Sequence, residues 1–278
     1  MESKIDYHKI ASEMKSTQDE CGQIEPFTSR FKDFSNADAY VVANMIHKKR
    51  IEEGAVPIGK KIGFTNPKMW VRHEWSIYGV REPIWAHVYD TTVSQLTDPH
   101  TQCHIGRYAE PKIEPEIVVH FQKSPPLTDK PQEILASIDW IAHGIEIVQC
   151  HFPEWRFRAA DTIADGGLHA TLLVGPPVNV EQLGSDVVSD LERFSITLSC
   201  DGKSCERGRG SNALGSALIA VAHLIAVLST QQQTLSLQQG EIVTTGTLTA
   251  ALPICAGQIW STSLEGISLP GISVSIES

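Results

Sequence analysis

The stretch AEPKIEPEIVVHF, residues 109 to 121, places two glutamates, Glu114 and Glu116, at the head of an apolar run. Isoleucine and valine in succession favour a β-strand. On a strand, residues i and i+2 share a face, so Glu114 and Glu116 point the same way, with Val118 and His120 following. Pro115 between them donates no backbone hydrogen bond, which suggests an edge strand or a strand start. Two neighbouring carboxylates repel and do not both ionise cheaply. A bound divalent cation removes that penalty, and carboxylates with water in the open positions suit Mg²⁺ or Mn²⁺.

Working outward, the chain from about residue 56 repeats this texture. Prolines and glycines punctuate short apolar runs: KKIGF, IWAHVY, EIVVHF, HGIEIVQC, HATLLVG, FSITLSC, GEIVTTGTLT and GISVSI. Each reads as a strand. Helical patterns are fewer. PQEILASIDWIA is one, and ALGSALIAVAHLIAVL (213 to 228) is the strongest. Near the N-terminus, FSNADAYVVANMIHKKRIEEG has Ser35 with Asp38 as a capping box and Gly54 to close the helix. The pattern is α+β with a large β component, not regular βαβ alternation. It divides into an N-terminal helical segment, 1–55, and a β-rich catalytic domain, 56–278, or forms one continuous domain.

A third carboxylate, Glu146, sits inside the apolar run HGIEIVQC between Ile145 and Ile147. Each glutamate alone also fits the solvated face of a half-buried strand. Three together point to a metal, provided the strands are neighbours. Lys60 and Lys61 are adjacent and face opposite sides of their strand, so one can be solvated while the other points inward.

Composition bounds the alternatives. The 278 residues carry a net charge of -10, which repels phosphate and argues against nucleic acid as a partner. Cysteines at 21, 103, 150, 200, 205 and 255 form no CxxC, so free thiols in the cytoplasm are expected. No apolar stretch reaches membrane-spanning length, and 213 to 228 carries His223. Eleven histidines, His143, His151 and His169 among them, show no zinc-binding spacing. No phosphate loop or nucleophile elbow stands in a strand-turn-helix context.

KIEPEI, then HGIEIV, then DTIADGG, preceded by GKKIGFT (59 to 65) and GVREPIW, and followed by LGSALIAVAHLIAVL and GEIVTTGTLT, resembles the fumarylacetoacetate hydrolase superfamily. Within it, the chain is most similar to the branch of 2-keto-4-pentenoate hydratases and 4-oxalocrotonate decarboxylases. The resemblance runs from about residue 40 to the end. It implies mixed, rolled β-sheets and a homo-oligomer, a dimer or larger. It implies Mg²⁺ or Mn²⁺ on Glu114, Glu116 and Glu146, holding a small 2-keto acid substrate, and Lys61 as the proton carrier. The expected activity is a lyase, hydratase or decarboxylase, acting through a metal-bound enolate. A C–C bond hydrolase of acylpyruvate type, for which the upstream helical segment offers His47 and Glu52, and a non-catalytic oligomeric relative are the alternatives.

Two positions depart from the family pattern. The acidic residue expected in GVREPIW falls at Glu82, one place along. After Asp165, which matches, Gly166, Gly167, Leu168 and His169 replace the usual Asn and hydroxyl residues. The glycine N–H groups could approach an anion and His169 could contact substrate, or the segment is a turn with a structural histidine.

Overall fold

The computed structural model describes residues 5–66, 82–231 and 236–278. The chain opens with three helices, α1 (Tyr7–Asp19), α2 (Phe27–Arg30) and α3 (Asn36–Glu52). The expected capping box is present on α3: Ser35 Oγ accepts from Asp38 N–H, and the Asp38 carboxylate accepts from Ser35 N–H. Lys15 pairs with Asp19 and Glu53, and Arg50 with Asp19, tying α1 to α3. The segment is ordered by packing: Ile10, Met14, Phe27, Val42 and Ile46 are buried with Phe152 and Phe157.

The remaining elements follow in order: β1 (Pro57–Gly63), β2 (Ile84–Tyr89), β3 (Val93–Gln95), β4 (His100–His104), β5 (Lys112–Phe121), α4 (Pro131–Leu135) and β6 (Ile138–Val148). Next come α5 (Ala159–Ala164), β7 (His169–Val174), β8 (Val178–Asn179), α6 (Val187–Arg193), β9 (Ser195–Cys200), β10 (Lys203–Arg209) and α7 (Ala217–Thr230). The last are β11 (Ile242–Thr244), β12 (Leu252–Pro253), β13 (Ile259–Glu265) and β14 (Ser273–Glu277). Among the described residues they form a mixed nine-stranded sheet, ordered β2-β1-β11-β5-β6-β7-β3, with β12 on β5 and β8 on β6. A five-stranded sheet is ordered β10-β9-β13-β14-β4. The α+β expectation holds.

The large sheet is rolled. Val88 of β2 lies in one cluster with Val118 of β5, Ala142 of β6, and Leu172 and Val174 of β7, although β2 and β7 stand far apart in strand order. The pleat sends alternate residues outward, where Ile117, Val119 and Phe121 meet α7 and its neighbours. Ile113, Ile145 and Ile147 meet Leu198, Trp260 and Val274 of the small sheet. Although 210–230 is apolar enough to cross a membrane by length and composition, Leu218, Val221, Leu224, Ile225 and Leu228 of α7 belong to the main core. Burying each such side chain contributes roughly 1.5–3 kcal/mol.

Two sequence expectations fail. PQEILASIDWIA is helical only through Leu135; from Ile138 it enters β6. The apolar spacing fits a short helix, but pairing with β5 over the whole of β6 outweighs it. Nor is β5 an edge strand: it pairs with β6 on one side and with β11 and β12 on the other. Pro115 is tolerated because its carbonyl accepts from Leu248 N–H, so its imide nitrogen faces the loop between β11 and β12, where no ladder bond is required.

Candidate metal and proton-transfer site

The register of β5 and β6 builds the site. Glu114 stands opposite Glu146, Glu116 opposite Gly144, and Val118 opposite Ala142, all facing into the roll. β1 supplies Lys61, paired with Ala86 of β2 and Thr244 of β11. The interior is therefore layered. Val118, Ala142, Leu172 and Val88 form an apolar floor, and the carboxylates and Lys61 lie above it. Higher still, Ile84 and Val148 pack into the cluster made with the N-terminal helices.

Ligand oxygens of Glu114, Glu116 and Glu146 lie within 4.8 Å of one another. Glu116 Oε2 accepts from Thr244 Oγ1 and from Gly246 N–H at 2.9 Å. Glu146 Oε1 accepts from Lys61 Nζ at 2.6 Å and His169 Nδ1 at 2.7 Å. Its other oxygen, Oε2, is buried without a hydrogen-bond partner among the described residues. A bare carboxylate oxygen aimed among two other carboxylates suits a divalent cation, and the all-oxygen donor set suits Mg²⁺ or Mn²⁺.

The electrostatics agree. Burial, followed by the charge of Glu146, pushes Glu114 up to about 7. Burial and the charges of Glu146 and Glu114 hold Glu116 well above the usual carboxylate range. Burial alone favours neutral Glu146, but Lys61 and the His169 hydrogen bond reverse this and bring it down to about 2. For Lys61, burial favours the neutral amine, and attraction by Glu146, Glu114 and Glu116 overcomes it, so the ammonium persists above the usual lysine range. Two carboxylates held from full ionisation by burial and by mutual repulsion are what a bound cation relieves.

The sequence-derived residues divide into groups. Lys61 and His169 join the triad through Glu146. Both ring nitrogens of His169 are engaged, Nδ1 by Glu146 and Nε2 by Thr92 Oγ1 at 2.9 Å, so the ring is placed to orient Glu146. Asp165 is buried apart from the cluster, bonded to His151 Nδ1 at 2.8 Å and Gln18 Nε2 at 3.1 Å. Glu82 is exposed and accepts from Asn36 at 3.3 Å; the neighbouring residues 79 to 81 of GVREPIW lie outside the described residues.

Gly166 and Gly167 have φ of 61° and 69°. A Cβ on Gly167 would stand 3.3 Å from Lys61 Cδ, so the glycine pair lets the turn press against the lysine. Lys60 does face away from Lys61 but is not solvated: it is 2% exposed and its Nζ meets Glu241 at 2.8 and 3.0 Å.

Sequence reasoning missed Thr244, Gly246 and His143. His143 is buried, donates from Nδ1 to the Glu116 carbonyl at 2.9 Å, and reaches Thr262 of the small sheet with Nε2. The run of threonines in GEIVTTGTLT was the available signal, since hydroxyls in an apolar strand must find partners.

A cavity of about 820 Å³ lies under α3, lined by Tyr40, His47, Trp85, His87, Tyr89 and His169 among others. Besides His169, its partner Thr92, Gly166 and Asp165 border it, so the cavity reaches the edge of the triad's surroundings.

Against this geometry, the comparisons with known proteins speak to the whole chain. A family model described as fumarylacetoacetate (FAA) hydrolase C-terminal matches residues 44–268. The chain belongs to the fumarylacetoacetate hydrolase family. A 4-oxalocrotonate decarboxylase of a Pseudomonas species is 28% identical over 223 residues, covering 79% of each chain. A 2-keto-4-pentenoate hydratase of Paraburkholderia xenovorans is 27% identical, covering 88% of this chain and 86% of that one. The solved structure of 4-oxalocrotonate decarboxylase from Pseudomonas putida G7, complexed with magnesium and adipate, superposes with a TM-score of 0.85. It is 22% identical and covers 98% of this chain and 99% of that one. This family fold is the rolled sheet described above.

Proposed function

We propose that the protein is a divalent-metal-dependent lyase, a hydratase or decarboxylase, acting on a small 2-keto or 2-hydroxydienoic acid. The observation that carries the reading is the buried triad Glu114, Glu116 and Glu146 with Lys61 clamped on Glu146. The triad would hold Mg²⁺ or Mn²⁺, which supplies positive charge where a 2-keto oxygen becomes an enolate. Relatives named as a hydratase and a decarboxylase, and a similar structure holding magnesium, support the assignment.

The chain's own residues have separate tasks in this reading. Lys61, held on Glu146 at 2.6 Å, is the group that carries the proton, giving it up and taking it back over one cycle. Glu146 fixes the Lys61 side chain, and His169, anchored on Thr92, fixes Glu146. Thr244 and Gly246 hold Glu116. The apolar floor excludes water from below the reacting group. Asp165, bonded to His151 and Gln18, and exposed Glu82, bonded to Asn36, make no contact with the triad among the described residues and take no step in this reading.

We place the enzyme in the cytoplasm as a homo-oligomer, in line with six free cysteines and family habit. The acylpyruvate hydrolase alternative finds less support. Its His47 is stacked on His87 and bonded to Tyr89 OH, while Glu52 is exposed. The deciding experiment is an absorbance assay of the Mg²⁺- or Mn²⁺-loaded protein with 2-hydroxypenta-2,4-dienoate, 4-oxalocrotonate and an acylpyruvate. Consumption of the dienoate or release of CO₂ from oxalocrotonate, lost on chelation, is expected. Turnover of the acylpyruvate alone would favour the hydrolase.

A further inference from the structure

Lys112 carries a charge to which the triad and its proton donor assign no task. It lies two residues before Glu114 on β5 and so shares the inward face, opposite Val148 of β6. Along that face Glu116 is buried, while Glu114 and Lys112 are partly exposed, and Lys112 lines a second pocket with Trp155, Pro253 and Ile254. The two cations of β1 are committed, Lys61 to Glu146 and Lys60 to Glu241. Among the described residues Lys112 makes no ion pair; its Nζ rests 3.7 Å from the centre of the Trp155 ring.

The nearby acids are taken. Glu110 Oε1 accepts from Gln23 Nε2 and Glu154 N–H, and Glu154 pairs with Arg156 at 2.8 Å. The indole is a built support. Trp155 Nε1 donates to the Glu110 carbonyl at 3.1 Å, and Glu154 and Trp155 are held at φ of 58° and 57°, which L-residues seldom adopt. Strain of this kind is retained where surrounding structure over-determines it, as at binding sites.

We propose that Lys112 determines specificity by receiving the second, distal carboxylate of a dicarboxylic 2-keto acid whose keto-acid end lies at the triad. This rests on the lyase reading above. Two residues along a strand span about 7 Å, comparable to the length of a six-carbon diacid. A metal that engages Glu114 would leave Lys112, two residues along the same face and without an ion pair among the described residues, to meet an anion. An ammonium holding a carboxylate favours the bound substrate and does not assist departure of that group as neutral CO₂. Its loss therefore raises KM without lowering kcat.

The test compares wild type, Lys112→Met and Lys112→Arg, all loaded with Mg²⁺. Calorimetric titration with adipate and with hexanoate reads the distal charge without turnover. Wild type is expected to prefer adipate by about 10- to 100-fold, the range for a charge-assisted hydrogen bond. Lys112→Met abolishes that preference and Lys112→Arg restores most of it. In kinetics, Lys112→Met raises KM for 4-oxalocrotonate by a similar factor, leaves kcat undiminished, and changes 2-hydroxypenta-2,4-dienoate by less than about threefold. Equal binding of adipate and hexanoate by wild type overturns the proposal, even if the variants do not fold. So does an equal loss on both substrates in a folded Lys112→Met protein. A wild type that turns over neither substrate counts instead against the lyase reading, while an adipate preference would still locate the distal cation.

Discussion

Glu146 concentrates the chemistry of the site in one side chain. One oxygen takes both Lys61 and His169; the other is bare. Glu146→Gln is expected to weaken Mg²⁺ binding in calorimetric titration. It also lowers stability by about 3–5 kcal/mol, because Lys61 becomes a buried charge without its partner. Unchanged metal affinity would remove the triad from the proposal. Lys61→Ala is expected to cut kcat by about 10²- to 10⁴-fold, the range for losing a general acid-base group, with metal binding retained. Lys60→Ala separates the two lysines: it leaves kcat within a few-fold but destabilises the fold, by about 1–3 kcal/mol, through unpaired Glu241. Strand alternation made the opposite facing of this pair legible in the sequence. The burial of Lys60 was not, because its partner is 181 positions away and a local pattern carries no such contact.

At the scale of elements, the β5–β6 ladder carries the site, and most of it could be read directly. EIVVHF and HGIEIVQC both announce strands, whereas IDWIA, the first half of β6, follows a helix-forming run and shows no alternation, since β6 is covered on both faces. The turn after β11 was equally hidden, although it fixes Glu116. Gly246 sits at φ 92°, and a Cβ there would collide with Thr65 Oγ1. Gly246→Ala therefore carries a strained backbone and a displaced N–H donor to Glu116. A loss of about 1–3 kcal/mol in denaturant unfolding is expected from the backbone alone. A lower Mg²⁺ affinity should accompany it, although the residue is no ligand. Retained affinity in a destabilised protein would show that the Gly246 N–H is dispensable to the site.

For the whole molecule, folding has to collect like charges in an apolar interior, so stability should depend on what neutralises them. Mg²⁺ at 100 times its dissociation constant is expected to add about 2.7 kcal/mol by mass action, seen as a rise in Tm that Glu116→Gln abolishes. Acid should act elsewhere too. Burial first, then the charges of His47 and Lys60, bring His87 down to about 3. The unfolded chain takes up this proton near pH 6.5 and the folded chain only near 3. The contribution of neutral His87 is thus complete above about pH 6.5 and declines as pH falls toward 3. Tm measured from pH 7 to 4.5 should fall less steeply in His87→Phe than in wild type; parallel curves would contradict the assignment. The layered interior has one more consequence. Apolar side chains lie below the carboxylates and the N-terminal helices above them, and His169 stands both against Glu146 and in the wall of the cavity under α3. A hollow that shares a wall with the carboxylates is a waiting room for reactant and product alike, and a product lingering there should inhibit competitively against the molecule about to enter.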